Sequence, residues 1–291
     1  MDDATKFARL GLGTAQFGQA YGVSNTRGRV PPSEVSAVLA RAGQAGLRTL
    51  DTAAGYGEAE SVLGALEAQT RPFRIVTKTI ALKNGLDAVL DRARRSVETL
   101  RRKPVDLLLV HAAGDLLGPG GDALWRGLLA LRDEGLFGGI GISTYFDDDP
   151  LALARRFKPA AMQVPFSLLD QRLLANGALA AIKDLGVEIH VRSVFLQGLL
   201  FLEDEKLPPK LASAAPRLAA IRRAIADSGS IPLAAALSFV LGRPEVDVAV
   251  VGVTALSEFE EILSAAAHPA PALDWAAYAL DDATVLTPSR W

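Results

Sequence analysis

Asp51-Thr52-Ala53-Ala54-Gly55-Tyr56-Gly57 follows directly on the short run Leu47-Arg48-Thr49-Leu50. This reads as a buried strand that ends at Asp51 and releases a tight, glycine-containing loop carrying a tyrosine. Two later runs end the same way. Ile75-Val76-Thr77 delivers Lys78, and Val105-Asp106-Leu107-Leu108-Leu109-Val110 delivers His111. An acid, a phenol, an amine and an imidazole, each at or just beyond a strand C-terminus, make a candidate proton-handling centre.

Outward from this stretch, strand-like and helix-like segments alternate along the chain. Short apolar runs fall at residues 9–13, 47–51, 73–78, 105–110, 137–142, 160–164, 187–191 and 247–251. Between them the spacing predicts helices over Ser33–Ala45 (with Ser33 as cap), Leu86–Leu100, Ala123–Arg132, Leu151–Phe157 and Ser257–Leu263. The acidic run Asp147-Asp148-Asp149 suits the start of the fourth of these. Such alternation fits an open doubly wound sheet or a closed barrel. The length of 291 residues and the appearance of polar candidates after many strands favour an α/β fold of the (β/α)8 TIM barrel kind, one domain over 1–291.

Three connections are long: Thr14 to Pro32, His111 to Asp122, and 193 to about 214. Each follows a strand, so in a barrel each lies on the face where ligands bind.

Composition narrows the function classes. With 49% hydrophobic residues a packed core is within reach, and a formal net charge of -2 makes no electrostatic case for a nucleic-acid partner. The arginines of Arg92-Ala93-Arg94-Arg95 and Arg101-Arg102-Lys103 read as a solvated helix face. No cysteine is present, which removes disulfides, thiolate metal sites and a cysteine nucleophile. The three histidines, His111, His190 and His268, share no ligand spacing, so no metal is expected. The absence of an apolar signal core or a run of membrane length points to a cytoplasmic protein without a membrane partner.

A lysine ammonium about 4 Å from a phenol favours the phenolate and eases proton donation by the phenol. Lys78 can serve Tyr56 in this way if their two strands are neighbours. Asp51 would hold Lys78 charged, and His111 would orient a carbonyl oxygen. The glycine-rich Gly11-Leu12-Gly13-Thr14-Ala15-Gln16-Phe17-Gly18 has the wrong spacing for a G-x-G-x-x-G turn, so a Rossmann reading is rejected. A nucleotide would instead lie across the barrel mouth, its phosphates near a helix N-terminus such as the one after Gly252-Val253-Thr254.

The chain also resembles the aldo-keto reductase superfamily over nearly its whole length. The resemblance rests on the segments already quoted, on Thr77-Lys78 and Leu109-Val110-His111, and on Gly139-Ile140-Gly141-Ile142-Ser143, Met162-Gln163, Gln197-Gly198-Leu199-Leu200 and Val250-Val251-Gly252-Val253-Thr254. It implies a (β/α)8 barrel and NADP(H)- or NAD(H)-dependent interconversion of a small-molecule carbonyl substrate, sugar-like compounds included, and an alcohol. By motif, Tyr56 is implied as general acid, Lys78 and Asp51 as its tuning pair, and His111 as the carbonyl-orienting group. Ser143 and Gln163 are implied against the nicotinamide carboxamide, and Gly13 and Thr14 as backbone beside the cofactor. Ser193, Phe195, Gln197 and Gly198 are implied along the pyrophosphate, with Gly252 and Thr254 near the adenosine phosphate.

Four departures stand out. Thr144 replaces the asparagine that commonly follows Ser143. Arg192 takes the place of an aromatic ring on the nicotinamide, where its guanidinium would stack. Glu258 stands where relatives place arginine or glutamine, and a carboxylate there would repel a 2′-phosphate and accept from a 2′-hydroxyl. The N-terminus is short for a hairpin closing the barrel bottom. Gln16, Phe17, Tyr21, Tyr145 and Phe166 are expected to line the substrate mouth. A nicotinamide-binding regulatory or scaffold protein is the alternative, and a lyase forming a Schiff base on Lys78 is a third reading. Substrate, direction and oligomeric state are not encoded in these features.

Overall fold

The computed structural model describes residues 2–22 and 25–291, so Met1 and, within the first long connection, Val23 and Ser24 lie outside the described residues. Eight strands close into a barrel in sequence order: β1 (Leu10–Gly13), β2 (Thr49–Asp51), β3 (Arg74–Lys78), β4 (Val105–Val110), β5 (Phe137–Ser143), β6 (Ala161–Pro165), β7 (Glu188–Arg192) and β8 (Val248–Gly252). Every neighbouring pair is parallel, and β8 returns to β1 with Leu10 opposite Ala249. The open doubly wound alternative is thereby excluded. Parallel strands must be joined by crossovers, and the amphipathic helices between them bury one face of each crossover on the outside of the barrel.

Strand alternation divides the side chains into two sets. Leu12, Leu50, Ile75, Leu108, Ile142, Val164, Val191 and Val251 face the helices and belong to the main core. Val76, Leu107, Leu109 and Ala161 form a separate apolar cluster, the filling of the barrel itself. Room for those leucines comes from β5, where a Cβ on Gly141 would lie 2.5 Å from Leu109 Cδ2 and 2.4 Å from the Ala161 carbonyl oxygen.

The inward set turns polar at both ends. Near the strand N-termini, Arg74 forks onto Glu188 at 2.8 and 3.0 Å, and His190 Nε2 lies 2.9 Å from the same carboxylate. Burial pushes the Glu188 carboxyl up, but His190 and Arg74 outweigh it and hold the pKa at about 2. Near the strand C-termini the inward polar residues include Asp51, Lys78, Ser143 and Gln163, all buried.

The helices largely follow the periodicity, with corrections at the ends. The first crossover helix is Pro32–Ala45; Pro31 precedes it, and Ser33 makes no cap. Proline at the first helical position needs no N–H partner, so a capping side chain is dispensable there. Gly46, at φ 87°, ends this helix in the left-handed region that glycine enters without penalty. The other helices expected from spacing run over Leu86–Thr99, Gly121–Asp133, Pro150–Phe157 and, after β8, Leu256–Ala267, and Asp149 caps Pro150–Phe157 by accepting from the Ala152 N–H. The long connections carry short helical turns, among them Ala15–Gly18, Gly114–Leu117 and Leu196–Phe201. A short helix, Asp3–Ala8, precedes β1. Among the described residues no single helix is long and apolar enough to cross a membrane.

The basic helix face needs a second correction. Arg94 pairs with Glu134 at the surface as expected, but Arg92 turns inward to the buried Glu60, with Arg92 Nη2 2.6 Å from its carboxylate. Sequence spacing placed Arg92 on the solvent side because the crossover helices shield each other laterally, which a single-helix pattern does not show.

Candidate functional site

Register builds the centre of the site. Asp51 ends β2 and pairs with Val76 of β3, two residues before Lys78, so the carboxylate and the amine project inward from adjacent strands. Lys78 Nζ donates to Asp51 Oδ1 at 2.5 Å, to Oδ2 at 2.8 Å and to the Thr52 carbonyl at 2.9 Å. It also reaches the Tyr56 hydroxyl at 3.4 Å and lies 4.9 Å from the centre of that ring. Burial works against the ammonium, but the field of Asp51, with Tyr56 adding to it, outweighs burial and raises the Lys78 pKa above its ordinary value. The amine therefore stays charged inside the barrel.

His111 follows β4, its backbone N–H donating to Thr79 Oγ1 at 3.2 Å. Its ring stands edge-to-face against Tyr56, with centroids 5.8 Å apart and planes at 80°. Burial, reinforced by the nearby Lys78 and Arg192 cations, lowers its pKa to about 4. The imidazole is neutral at physiological pH and has one ring N–H to donate.

The loop that presents Tyr56 is held from several sides. Thr52 N–H donates to the Val76 carbonyl at 2.8 Å and Ala54 N–H to the Lys78 carbonyl at 3.1 Å. Gly18 lies so close that a Cβ there would meet the Tyr56 carbonyl oxygen at 1.8 Å. Gly57, at φ 55°, turns the chain away again beside Gly18.

A cavity of about 1060 Å³ opens above this centre. Its lining includes Asp51 and Tyr56; Gly13, Thr14 and Gln16 at the end of β1 and beyond; Tyr21; Tyr145 and Gln163; Arg192, Ser193, Phe195, Gln197 and Gly198 at the end of β7 and beyond; and Gly252, Thr254 and Glu258 at the end of β8 and beyond. Lys78 is buried behind Tyr56, and Ser143 is buried directly opposite Gln163 in the β5–β6 register. Two expected mouth residues are not there. Phe17 and Phe166 are fully buried in the main core, Phe166 stacked on Phe239 with centroids 5.2 Å apart. Large aromatic rings next to strand ends gain more from packing under the loops than from standing at the rim.

Several side chains expected to face a cofactor already have partners in the chain. Gln163 Nε2 donates to Asp51 Oδ2 at 2.8 Å, a third hydrogen bond on the carboxylate that holds Lys78. Arg192 lies over the Tyr145 ring at 4.3 Å and donates to the Thr144 carbonyl at 2.9 Å. Thr14 turns its hydroxyl onto the Asp51 carbonyl at 3.0 Å. Glu258 accepts from Thr254 N–H at 2.6 Å and from Thr254 Oγ1 at 2.7 Å, while Glu34 accepts from Leu256 N–H at 2.6 Å. Donors at the start of helix Leu256–Ala267, the place expected to receive phosphate, are thus taken by two carboxylates of the chain itself.

The segment after β7 is strained. Ser193, Leu196 and Gln197 have φ of 60°, 45° and 52°, and Gly198 follows at 83°. Non-glycine residues held in this region cost energy and concentrate at ligand-binding loops. Among the described residues no cluster of His, Cys, Asp or Glu could hold a metal ion. Glu34 and Thr79 were not singled out by sequence; Glu34 meets Leu256 across 222 residues, a separation no local pattern spans.

With this geometry in place, comparison with known proteins is direct. The chain is 31% identical over 158 residues to an aldo-keto reductase of Mycolicibacterium smegmatis, a stretch covering 50% of this chain and 54% of that protein. It thus spans about half the length of that relative. Against the L-galactose dehydrogenase of Arabidopsis thaliana it is 27% identical over 280 residues, covering 89% of this chain and 84% of that one. An aldo-keto reductase of Bacillus halodurans, solved in its holo form, superposes with a TM-score of 0.73 at 19% identity over 93% of this chain and 89% of the other, which speaks for the shared barrel. The profile of the Aldo/keto reductase family matches residues 9–279, and the chain belongs to that family.

Proposed function

We propose that this protein is an NAD(P)(H)-dependent oxidoreductase that interconverts aldehydes or ketones with alcohols, Tyr56 serving as the proton donor and acceptor. The observation that carries the reading is the Tyr56 hydroxyl 3.4 Å from a buried, charged Lys78, with the cavity opening above it. In reduction, Tyr56 gives its proton to the carbonyl oxygen as negative charge develops there. The ammonium beside it stabilises the phenolate left behind, and Asp51 keeps that ammonium charged and fixed. Neutral His111 donates its ring N–H to the same substrate oxygen and sets its orientation. A protonated imidazole would compete with Tyr56 as acid, so the depressed pKa keeps the roles separate.

The lining fits a dinucleotide. Its volume is at the upper end of ordinary small-molecule pockets, roughly 300–1,000 Å³. Gln163 retains a carbonyl oxygen and a second N–H toward an amide, and Ile231, Leu233 and Ile262 offer an apolar wall suited to an aromatic base. When bound, the nicotinamide would supply or take the hydride. Ser193 to Gly198 is the segment that would run along the dinucleotide's pyrophosphate, and Gly252 and Thr254 line the same cavity beside Glu258. A 2′-hydroxyl suits the carboxylates at the start of helix Leu256–Ala267 better than a 2′-phosphate does, so NAD(H) is favoured. The sugar-like substrate class is supported by the name of the Arabidopsis relative, L-galactose dehydrogenase. Loss of NADH or NADPH absorbance against a panel of aldehydes, ketones and aldoses tests the reading. Tight cofactor binding with no carbonyl compound reduced would overturn it.

A further inference from the structure

Behind the barrel wall, outside the cavity, a buried carboxylate joins the two carriers of the proton-handling pair. Glu60 sits in the helix Ala59–Ala65 that follows the Tyr56 loop, among the buried residues Ala59, Leu63 and Gly64. Its Oε1 accepts from Thr77 Oγ1 at 2.6 Å, and its Oε2 accepts from Arg92 Nη2 at 2.6 Å and from Ser96 Oγ at 3.2 Å. Thr77 is the residue before Lys78 on β3, its side chain pointing outward where that of Lys78 points inward. The same Arg92 nitrogen donates to the Ala54 carbonyl at 3.3 Å, two residues before Tyr56, while Arg92 Nη1 holds Ser96 Oγ at 2.7 Å.

From these contacts we infer that Glu60 and Arg92 are positioning residues that fix the Tyr56 phenol against Lys78 for proton transfer. One end of the network grips the strand that carries the amine, and the other grips the loop that carries the phenol. A buried carboxylate is costly unless its oxygens are fully engaged, so the network has a single low-energy arrangement. The phenol–amine distance depends on that arrangement because Ala54, hydrogen-bonded to Lys78 on its N–H side, is held on its carbonyl side by Arg92. This inference rests on the reading of Tyr56 as proton donor.

Arg92→Lys tests it, since lysine keeps a cation beside Glu60 but lacks the planar fork that reaches Ser96 and Ala54 together. Thr77→Val tests the strand side independently and serves if the first variant folds poorly. With a thermal midpoint near that of the parent, kcat is expected to fall about 10- to 100-fold, while KM and the cofactor Kd stay within about twofold. In a Tyr56→Phe background, Arg92→Lys is expected to add no further loss, because it acts through the missing hydroxyl. In the crystal structure of Arg92→Lys, the phenol is expected to stand about 1 Å farther from the amine, a displacement of the size that costs a hundredfold. Unchanged kcat in the folded variant, a loss that is fully additive with Tyr56→Phe, or a phenol still 3.4 Å from Lys78 would overturn the inference. If the parent protein reduces no carbonyl compound, the proposed function fails, while the phenol–amine distance in the variant still decides the positioning claim.

Discussion

Asp51 grips the ammonium of Lys78 with both carboxylate oxygens, at 2.5 and 2.8 Å, in a place where both side chains are buried. Everything proposed for Tyr56 depends on that charge being present and fixed. Lys78→Met removes the cation and leaves Asp51 with Gln163 as its remaining side-chain donor. The variant is expected to lose about 3–5 kcal/mol of stability, as when one partner of a buried pair is deleted. Because the Lys78 pKa is raised, its stabilising contribution is complete below the ordinary value of 10.5 and is lost only as pH climbs through the raised value. Urea unfolding at neutral and alkaline pH measures both; a stable Lys78→Met protein would contradict the account.

His111 gives the opposite pH dependence. Its pKa is lowered from 6.5 to about 4 in the folded chain, so the unfolded chain binds the extra proton first as pH falls. The stability advantage is complete above 6.5 and is lost as pH falls through that window to about 4, amounting to roughly 3 kcal/mol at most. His111→Gln is expected to flatten this part of the stability–pH curve. A slope unchanged between pH 7 and 4 would show that the imidazole is not held neutral.

Gly18 has no room for a methyl group, since the nearest atoms are backbone, the Tyr56 carbonyl oxygen and the Ala59 nitrogen at 1.8 and 2.4 Å. Backbone cannot step aside as a flexible side chain can. Gly18→Ala is expected to cost about 1–3 kcal/mol and to displace the Tyr56 loop, with turnover falling by more than the stability loss alone explains. Gly28→Ala is a useful contrast, because nothing lies within 4 Å of its Cβ, although its φ of 78° carries a conformational cost of its own.

Glu258 and Glu34 fill the start of helix Leu256–Ala267 with negative charge. NADH is expected to bind more tightly than NADPH. Glu258→Gln, which removes the charge and keeps the size, should narrow the difference by about tenfold, through stronger NADPH binding. Titration of nicotinamide fluorescence with each cofactor measures this directly. A parent protein that prefers NADPH would refute the assignment.

The barrel was legible in the sequence because β2 and β3 end on, and β4 is directly followed by, a residue whose chemistry is out of place in a core. Asp51, Lys78 and His111 each close an apolar run, and parallel register, with Asp51 opposite Val76 and Lys78 opposite Leu109, sets Lys78 two residues beyond the partner of Asp51 and His111 two residues beyond the partner of Lys78. The partners of the cofactor-facing side chains were less legible. Gln163 on Asp51, Arg192 on Tyr145 and Glu258 on Thr254 are local choices among competing acceptors, decided by distances that spacing does not carry. Phe17 and Phe166 were misread because a strand-end aromatic can pack beneath a loop or stand at its rim with the same sequence neighbours. Arg92 was misread for a related reason. Its helix has a solvated face, but the buried Glu60 that recruits it lies on another crossover, 32 residues earlier in the chain.

The measurement that bears most directly on the account is single-turnover carbonyl reduction by the parent protein and by Tyr56→Phe, both saturated with the preferred reduced nicotinamide. Removal of one hydroxyl should leave cofactor binding within about twofold and slow the chemical step by at least about a hundredfold, in keeping with a general acid. Equal rates for the two proteins would contradict it, and the proton would then have to come from another group.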